Sequence, residues 1–136
     1  MARSLIVDAG FLVALLSHRD FGHKWAVQAA SEHSPPWHTC EAVLSEAFHL
    51  LGERGAPQLS AMLSRGAVVA SFNLDDNVGA VTTLLKKYAG VPMSFADACL
   101  VRMSETMDDP LIFTTDSDFR IYRRLGRQAI PILSPP

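Results

Sequence analysis

Leu5-Ile6-Val7-Asp8-Ala9-Gly10 reads as a short strand that runs straight into a carboxylate. Three large apolar residues in a row suit a strand buried on both faces, as in a parallel sheet. The small pair Ala9-Gly10 follows, and residues 11–16 are again apolar, the pattern of a short buried helix. Asp8 therefore stands at the carboxyl end of a strand, where open α/β sheets hold their ligands. Capping a helix is the other use of an aspartate at such a place.

A second apolar run ends in acids at Leu111-Ile112-Phe113-Thr114-Thr115-Asp116-Ser117-Asp118. Between the two, strand and helix patterns alternate. Residues 21–33 are helical in spacing, and Pro35-Pro36 breaks them from a short strand at 37–39. Thr39 is placed to cap a helix over 40–54 that Gly55 stops, and 58–64 continues as helix. Residues 67–72 form the next strand, and Asp75-Asp76 opens a helix whose core face carries Val78, Val81, Leu84 and Leu85. Ser94 caps a helix from 95 to about 107, and 117–125 is predicted helical up to Gly126. The last strand is 129–133, with Pro131 marking a sheet edge. This alternation predicts a three-layer α/β/α sandwich around a central, mostly parallel sheet, as one domain over residues 1–136.

Composition narrows the function. With 49% hydrophobic and 19% charged residues the chain is built to fold around a core, and disorder is excluded. A net charge of -2 excludes a globally basic nucleic-acid binder, so contact with phosphate needs a local patch. The first apolar run is cut at Asp8, too short for a secretion signal, and no run is long enough to span a bilayer. Cys40 and Cys99 form no metal-thiolate spacing. The expectation is a cytoplasmic protein with two free thiols and no membrane association.

Two helices add acids to the two at the strand ends. In 40–54, Val43, Leu44, Ala47, Leu50 and Leu51 mark the core face, and Glu46 lies beside that stripe. Glu41, in the first turn, answers the helix dipole and is read as structural. Asp97 stands in a first turn between Ala96 and Ala98, surroundings that a solvated cap does not need. One fold can bring Asp8, Glu46, Asp97 and Asp116 to the same sheet edge. Carboxylates gathered this way repel one another and call for a hard cation such as Mg²⁺ or Mn²⁺, which prefer oxygen ligands. The chemistry that fits is phosphodiester hydrolysis.

Taken together, Ile6-Val7-Asp8-Ala9-Gly10, Val43-Leu44-Ser45-Glu46, Ala96-Asp97-Ala98 and Thr114-Thr115-Asp116-Ser117-Asp118-Phe119 resemble, in order and spacing, the PIN-domain ribonucleases. The nearest subgroup is the VapC-type toxins of bacterial and archaeal toxin–antitoxin pairs. The resemblance implies an endoribonuclease dependent on Mg²⁺ or Mn²⁺, homodimeric and held inactive by a small cognate antitoxin. It assigns catalysis and metal binding to Asp8, Glu46, Asp97 and Asp116, with Asp118 a less constant metal ligand. Thr114 matches a hydroxyl common before the last acid and is assigned to substrate. Gly10 departs from the pattern, because many members carry Ser or Thr there.

Arg120, Arg123 and Arg124 fall at i, i+3 and i+4 of the helix predicted over 117–125. One basic face beside the acids would grip RNA phosphates, while late cations also complement a helix dipole. Residues 11–16 and Trp25 are apolar enough to form a partner interface or simply core. Rival folds lack their motifs: a haloacid-dehalogenase-type phosphatase needs an acid at Gly10, a receiver domain needs an acidic pair after its first strand, and there is no P-loop. A stand-alone PIN nuclease for RNA processing and a non-catalytic PIN-fold module that binds RNA or protein share the four motifs.

Overall fold

The computed structural model describes residues 3–136. In chain order the strands are β1 (Ser4–Val7), β2 (Trp37–Thr39), β3 (Val68–Ala70), β4 (Pro110–Phe113), β5 (Arg123–Arg124), β6 (Gln128–Ala129) and β7 (Ile132–Leu133). The helices are α1 (Ala9–Leu16), α2 (His23–Glu32), α3 (Glu41–Ser64), α4 (Val78–Lys87) and α5 (Phe95–Thr106). Five strands form one sheet in the order β3-β2-β1-β4-β7, with every neighbouring pair parallel. Helices flank it: α1 packs on α2 and α3, while α4 packs on α5. The three-layer α/β/α sandwich is thus present.

The sheet centre is apolar for the reason its strands are uninterrupted runs. Ile6, Val7, Ile112 and Phe113 are completely buried, because both faces of the sheet are covered. Register pairs Ile6 with Ile112 and Val7 with Phe113, and Ile6 with His38 on the other side. The chain leaves β1 toward β2 and β3, then returns across to β4 and β7. The strand order therefore reverses between β1 and β4, and that is where a parallel sheet opens a crevice at its carboxyl edge.

Several local expectations are corrected. Thr39 ends β2, its hydroxyl donating to the Val7 carbonyl (2.8 Å), and Cys40 is the residue before α3. The helix does not stop at Gly55, which is buried within α3 with no room for a Cβ beside the Leu51 side chain. It bends instead at Gly52, whose φ of 59° only glycine adopts freely, and then runs on through Pro57. Asp75-Asp76 do not open α4. Asn73 organises a turn there, accepting from Asp75 N and Asn77 Nδ2, and the helix begins at Val78.

Residues 11–16 prove to be core at Phe11, Leu12 and Ala14. Phe11 meets the rings of Trp25, Trp37 and Phe113 edge-on at 5.8, 5.3 and 5.0 Å, an arrangement that aromatic quadrupoles favour. The expected interface therefore does not run through Phe11. The uncovered apolar side chains near this face are Phe21 and Leu50, with Val13 and Leu16 partly buried between them.

Candidate active site

β1 delivers Asp8 to the carboxyl edge, one residue beyond the last registered pair, and its backbone N–H donates to the Phe113 carbonyl (3.0 Å). The side chain is buried and fixed at both oxygens. Ala9 N donates to Oδ1 (2.7 Å) and Thr114 Oγ1 to Oδ2 (2.7 Å). Asp8 therefore does cap α1, and it does so at the sheet edge where the strand order reverses between β1 and β4.

Thr114, assigned to substrate by the resemblance, is completely buried and spends its hydroxyl inside the protein. Its hydroxyl gives its proton to Asp8 and accepts from Asp116 N (3.0 Å). One hydroxyl thus ties the acid after β1 to the acid after β4. Asp116 in turn accepts from Asp118 N through Oδ1 (2.9 Å), an Asx turn that starts a 3-10 turn at Ser117–Arg120.

Asp97 enters from α5. Ser94 Oγ caps that helix by accepting from Asp97 N (3.0 Å), as the sequence suggests. The Asp97 carboxylate accepts from Tyr122 Oη (2.9 Å). Tyr122 is completely buried against Phe119 and Tyr88. It is absent from the sequence reading, although its phenol, three residues after Phe119, is the kind of buried aromatic that needs a polar partner. Glu46 projects from α3 as an exposed acid one position from buried Ala47, close enough for its charge to act on Asp8.

The electrostatics record the gathering. Burial, together with the charges of Asp97 and Glu46, pushes Asp8 up to about 6, against the hydrogen bonds from Thr114 and Ala9. Asp97 is also raised, by burial first and by Asp116, while the Tyr122 hydroxyl holds it down. Tyr122 itself is pushed up by burial and by Asp97, Asp118 and Asp116, so it stays a donor. Each acid is thus felt by another.

Among the described residues no three such side chains already close on a single ion. The donor set still suits a hard cation. It is all carboxylate oxygen, Asp8 and Asp97 are raised by burial and, less, by neighbouring acids, and Mg²⁺ ordinarily uses one or two carboxylates and keeps its waters. Asp8, Glu46, Asp97 and Asp116 are the residues that would hold it, with Asp118 at the rim.

The expected basic helix face is not there. The 3-10 turn ends at Arg120, and β5 and β6 form a hairpin across Leu125 and Gly126, both at positive φ. Arg124 spends its guanidinium on the Ser104 carbonyl near the end of α5 (3.0 and 2.6 Å) and on Gln128 Oε1 (2.7 Å). Arg123 bonds the carbonyls of Arg120 and Tyr122. Those two arginines hold backbone together, as cations at a helix end do. Arg120 is exposed and reaches Ser134 Oγ (3.1 Å).

Gly10 departs from the expected hydroxyl residue for a visible reason. A Cβ there would overlap Thr115 Oγ1. The hydroxyl of Thr115 fills that space from the β4 side of the crevice.

No helix among the described residues is long and apolar enough to cross a membrane. No protein of curated function matches the chain. The fold is similar to that of the VapC20 toxin of Mycobacterium tuberculosis, described as cleaving the sarcin-ricin loop. That likeness has a TM-score of 0.71 at 24% identity and covers 85% of this chain and 92% of that one. The PIN domain family matches residues 5–125, a span that takes in all of β1 but Ser4 and all four acids. The chain belongs to the PIN-domain family.

Proposed function

We propose that this PIN domain, one domain over residues 1–136, is an endoribonuclease dependent on Mg²⁺ or Mn²⁺ and the toxin of a toxin–antitoxin pair. The observation that carries the reading is Asp8: a buried carboxylate, locked at both oxygens and pushed up to about 6, in the crevice where β1 and β4 part. A folded protein tolerates such a group at the expense of stability, and functional sites are where this recurs. The cation would neutralise charge on the phosphodiester and make an attacking water more acidic. Thr114 keeps Asp8 in place, Tyr122 keeps Asp97 in place, and the Asx turn keeps Asp116 at the rim. The family and the likeness to a toxin described as cleaving the sarcin-ricin loop support the same chemistry.

The partners follow from the uncovered surface. Phe21 and Leu50 lie exposed beside a groove between α1 and α3 lined by Val13, Leu16 and Leu51. A second copy of the chain and a small antitoxin are the proposed occupants of such apolar surface. The test is cleavage of a mixed RNA pool by the purified chain with Mg²⁺, with EDTA, and by Asp8→Asn. Metal-dependent product that the Asn variant loses by orders of magnitude is expected. Equal cleavage by the variant would refute the role of Asp8, and RNA binding without cleavage under every metal would favour the non-catalytic module.

A further inference from the structure

Beside the acids lies a cavity that the reading above leaves without a role. It has a volume of about 250 Å³ and is lined by Glu41, Ala42, Phe72, Leu74, Phe95 and Cys99. Three elements of the carboxyl edge build it: the first turn of α3, the loop after β3, and the first turns of α5. Phe95 and Leu74 are both exposed, so the cavity opens to solvent between two large apolar side chains. The cavity and the acids share the carboxyl edge of the sheet. Phe95 and Cys99 share one face of α5, the helix that carries Asp97 in its first turn, and the Cys99 thiol meets that of Cys40, which feels the Asp8 charge.

We propose that this cavity is a nucleobase subsite, taking a guanine of the RNA strand whose phosphate lies at the acids. The inference rests on the nuclease reading and specifies its substrate. Phe95 and Phe72 place two aromatic side chains in the wall, the residue type on which unstacked RNA bases settle. Glu41 is the one charged group in the wall, and neither ion pair of the described residues includes it. A carboxylate is acceptor-only and forked. Guanine alone among the four bases carries two adjacent N–H donors, N1–H and the N2 amine, on its Watson–Crick edge. Glu41 sits in the first turn of α3, where the helix dipole favours its charge. Glu41 thus acquires a specificity role besides the structural one.

The experiment uses the Asp8→Asn chain in Mg²⁺, so that RNA is bound without being consumed. The probes are fluorescein-labelled hexauridine, the same hexamer with one central guanosine, and the same with inosine, which lacks the N2 amine. The guanosine hexamer is expected to bind about tenfold tighter than hexauridine, the scale of one bidentate hydrogen-bonded contact, with inosine between them. Phe95→Leu should weaken the guanosine hexamer about tenfold. Glu41→Gln, on an exposed first turn and safe for folding, should bring guanosine and inosine together.

Equal affinity for guanosine and uridine hexamers overturns the subsite while leaving the nuclease reading intact. So does a preference that both variants retain. No binding of any RNA, short or long, strikes the nuclease reading and the subsite with it. If Phe95→Leu leaves RNA affinity intact but loosens a co-expressed protein partner, the cavity belongs to that protein and the proposal fails.

Discussion

Asp8→Asn at neutral pH should make the metal-free protein more stable. The carboxyl is ordinary at 3.8 and stands at about 6 in the fold. Its folded value is the higher one, so the folded state holds the proton longer. Stability is therefore lost as pH rises from about 4 to about 6 and is level above that. The difference of roughly two units corresponds to about 3 kcal/mol of destabilisation at pH 7. Asparagine removes that charge but also disturbs one bond. Its Nδ2 would face Thr114 Oγ1, which already accepts from Asp116 N, so about 1 kcal/mol is returned. The net gain is on the order of 1–2 kcal/mol, a rise of roughly 5 °C in melting temperature for a chain this size. At pH 4 the native aspartate is protonated in the fold, and the advantage should vanish. Mg²⁺ should raise the melting point of the natural chain more than that of the variant. Thermal melts of both at pH 4 and 7, with EDTA and with Mg²⁺, read all of this. A variant that melts lower at pH 7 without metal, or a gap that is the same at both pH values, would refute the account.

Thr114→Val should cost about 1–3 kcal/mol at pH 7 and less at pH 4, since it strips a buried carboxylate of its donor and Asp116 N of its acceptor; urea unfolding at the two pH values checks it. Tyr122→Phe should likewise cost about 1–3 kcal/mol and push Asp97 further up, so that the loss shrinks as pH falls; a loss independent of pH would sink the link to Asp97. Gly10→Ala should gain less than the ~1 kcal/mol that Gly to Ala ordinarily gives inside a helix, because the new methyl displaces Thr115. Adding Thr115→Ala should release the remainder, and additive single effects in a double-mutant cycle would show that the two residues do not touch.

The alternation of apolar runs and helical spacings was enough for the layer order, because periods of 2 and 3.6 and unbroken buried strands are local properties. The same holds for the strand ends at Asp8 and Asp116 and for the Ser94 cap before Asp97, each readable from its own few residues. Local reasoning failed where a distant partner decided. Residues 117–125 have helical spacing of arginines, but Tyr122 is drawn inward to Asp97, 25 residues away in sequence, and Arg124 to a carbonyl of α5. A 3-10 turn and a hairpin satisfy both, and a helix cannot. Gly55 looked like a stop and is a packing contact with Leu51, while Gly52 supplies the bend. Thr114 was legible only as a hydroxyl before the last acid and is the buried clasp between two acids 108 residues apart, joined because β1 and β4 are neighbours only in the sheet. The sequence by itself named the acids and their elements. Which hydroxyl locks which acid, and how far burial shifts each, came from the tertiary structure, since hydrogen bonding and desolvation depend on neighbours that the folded chain alone brings together.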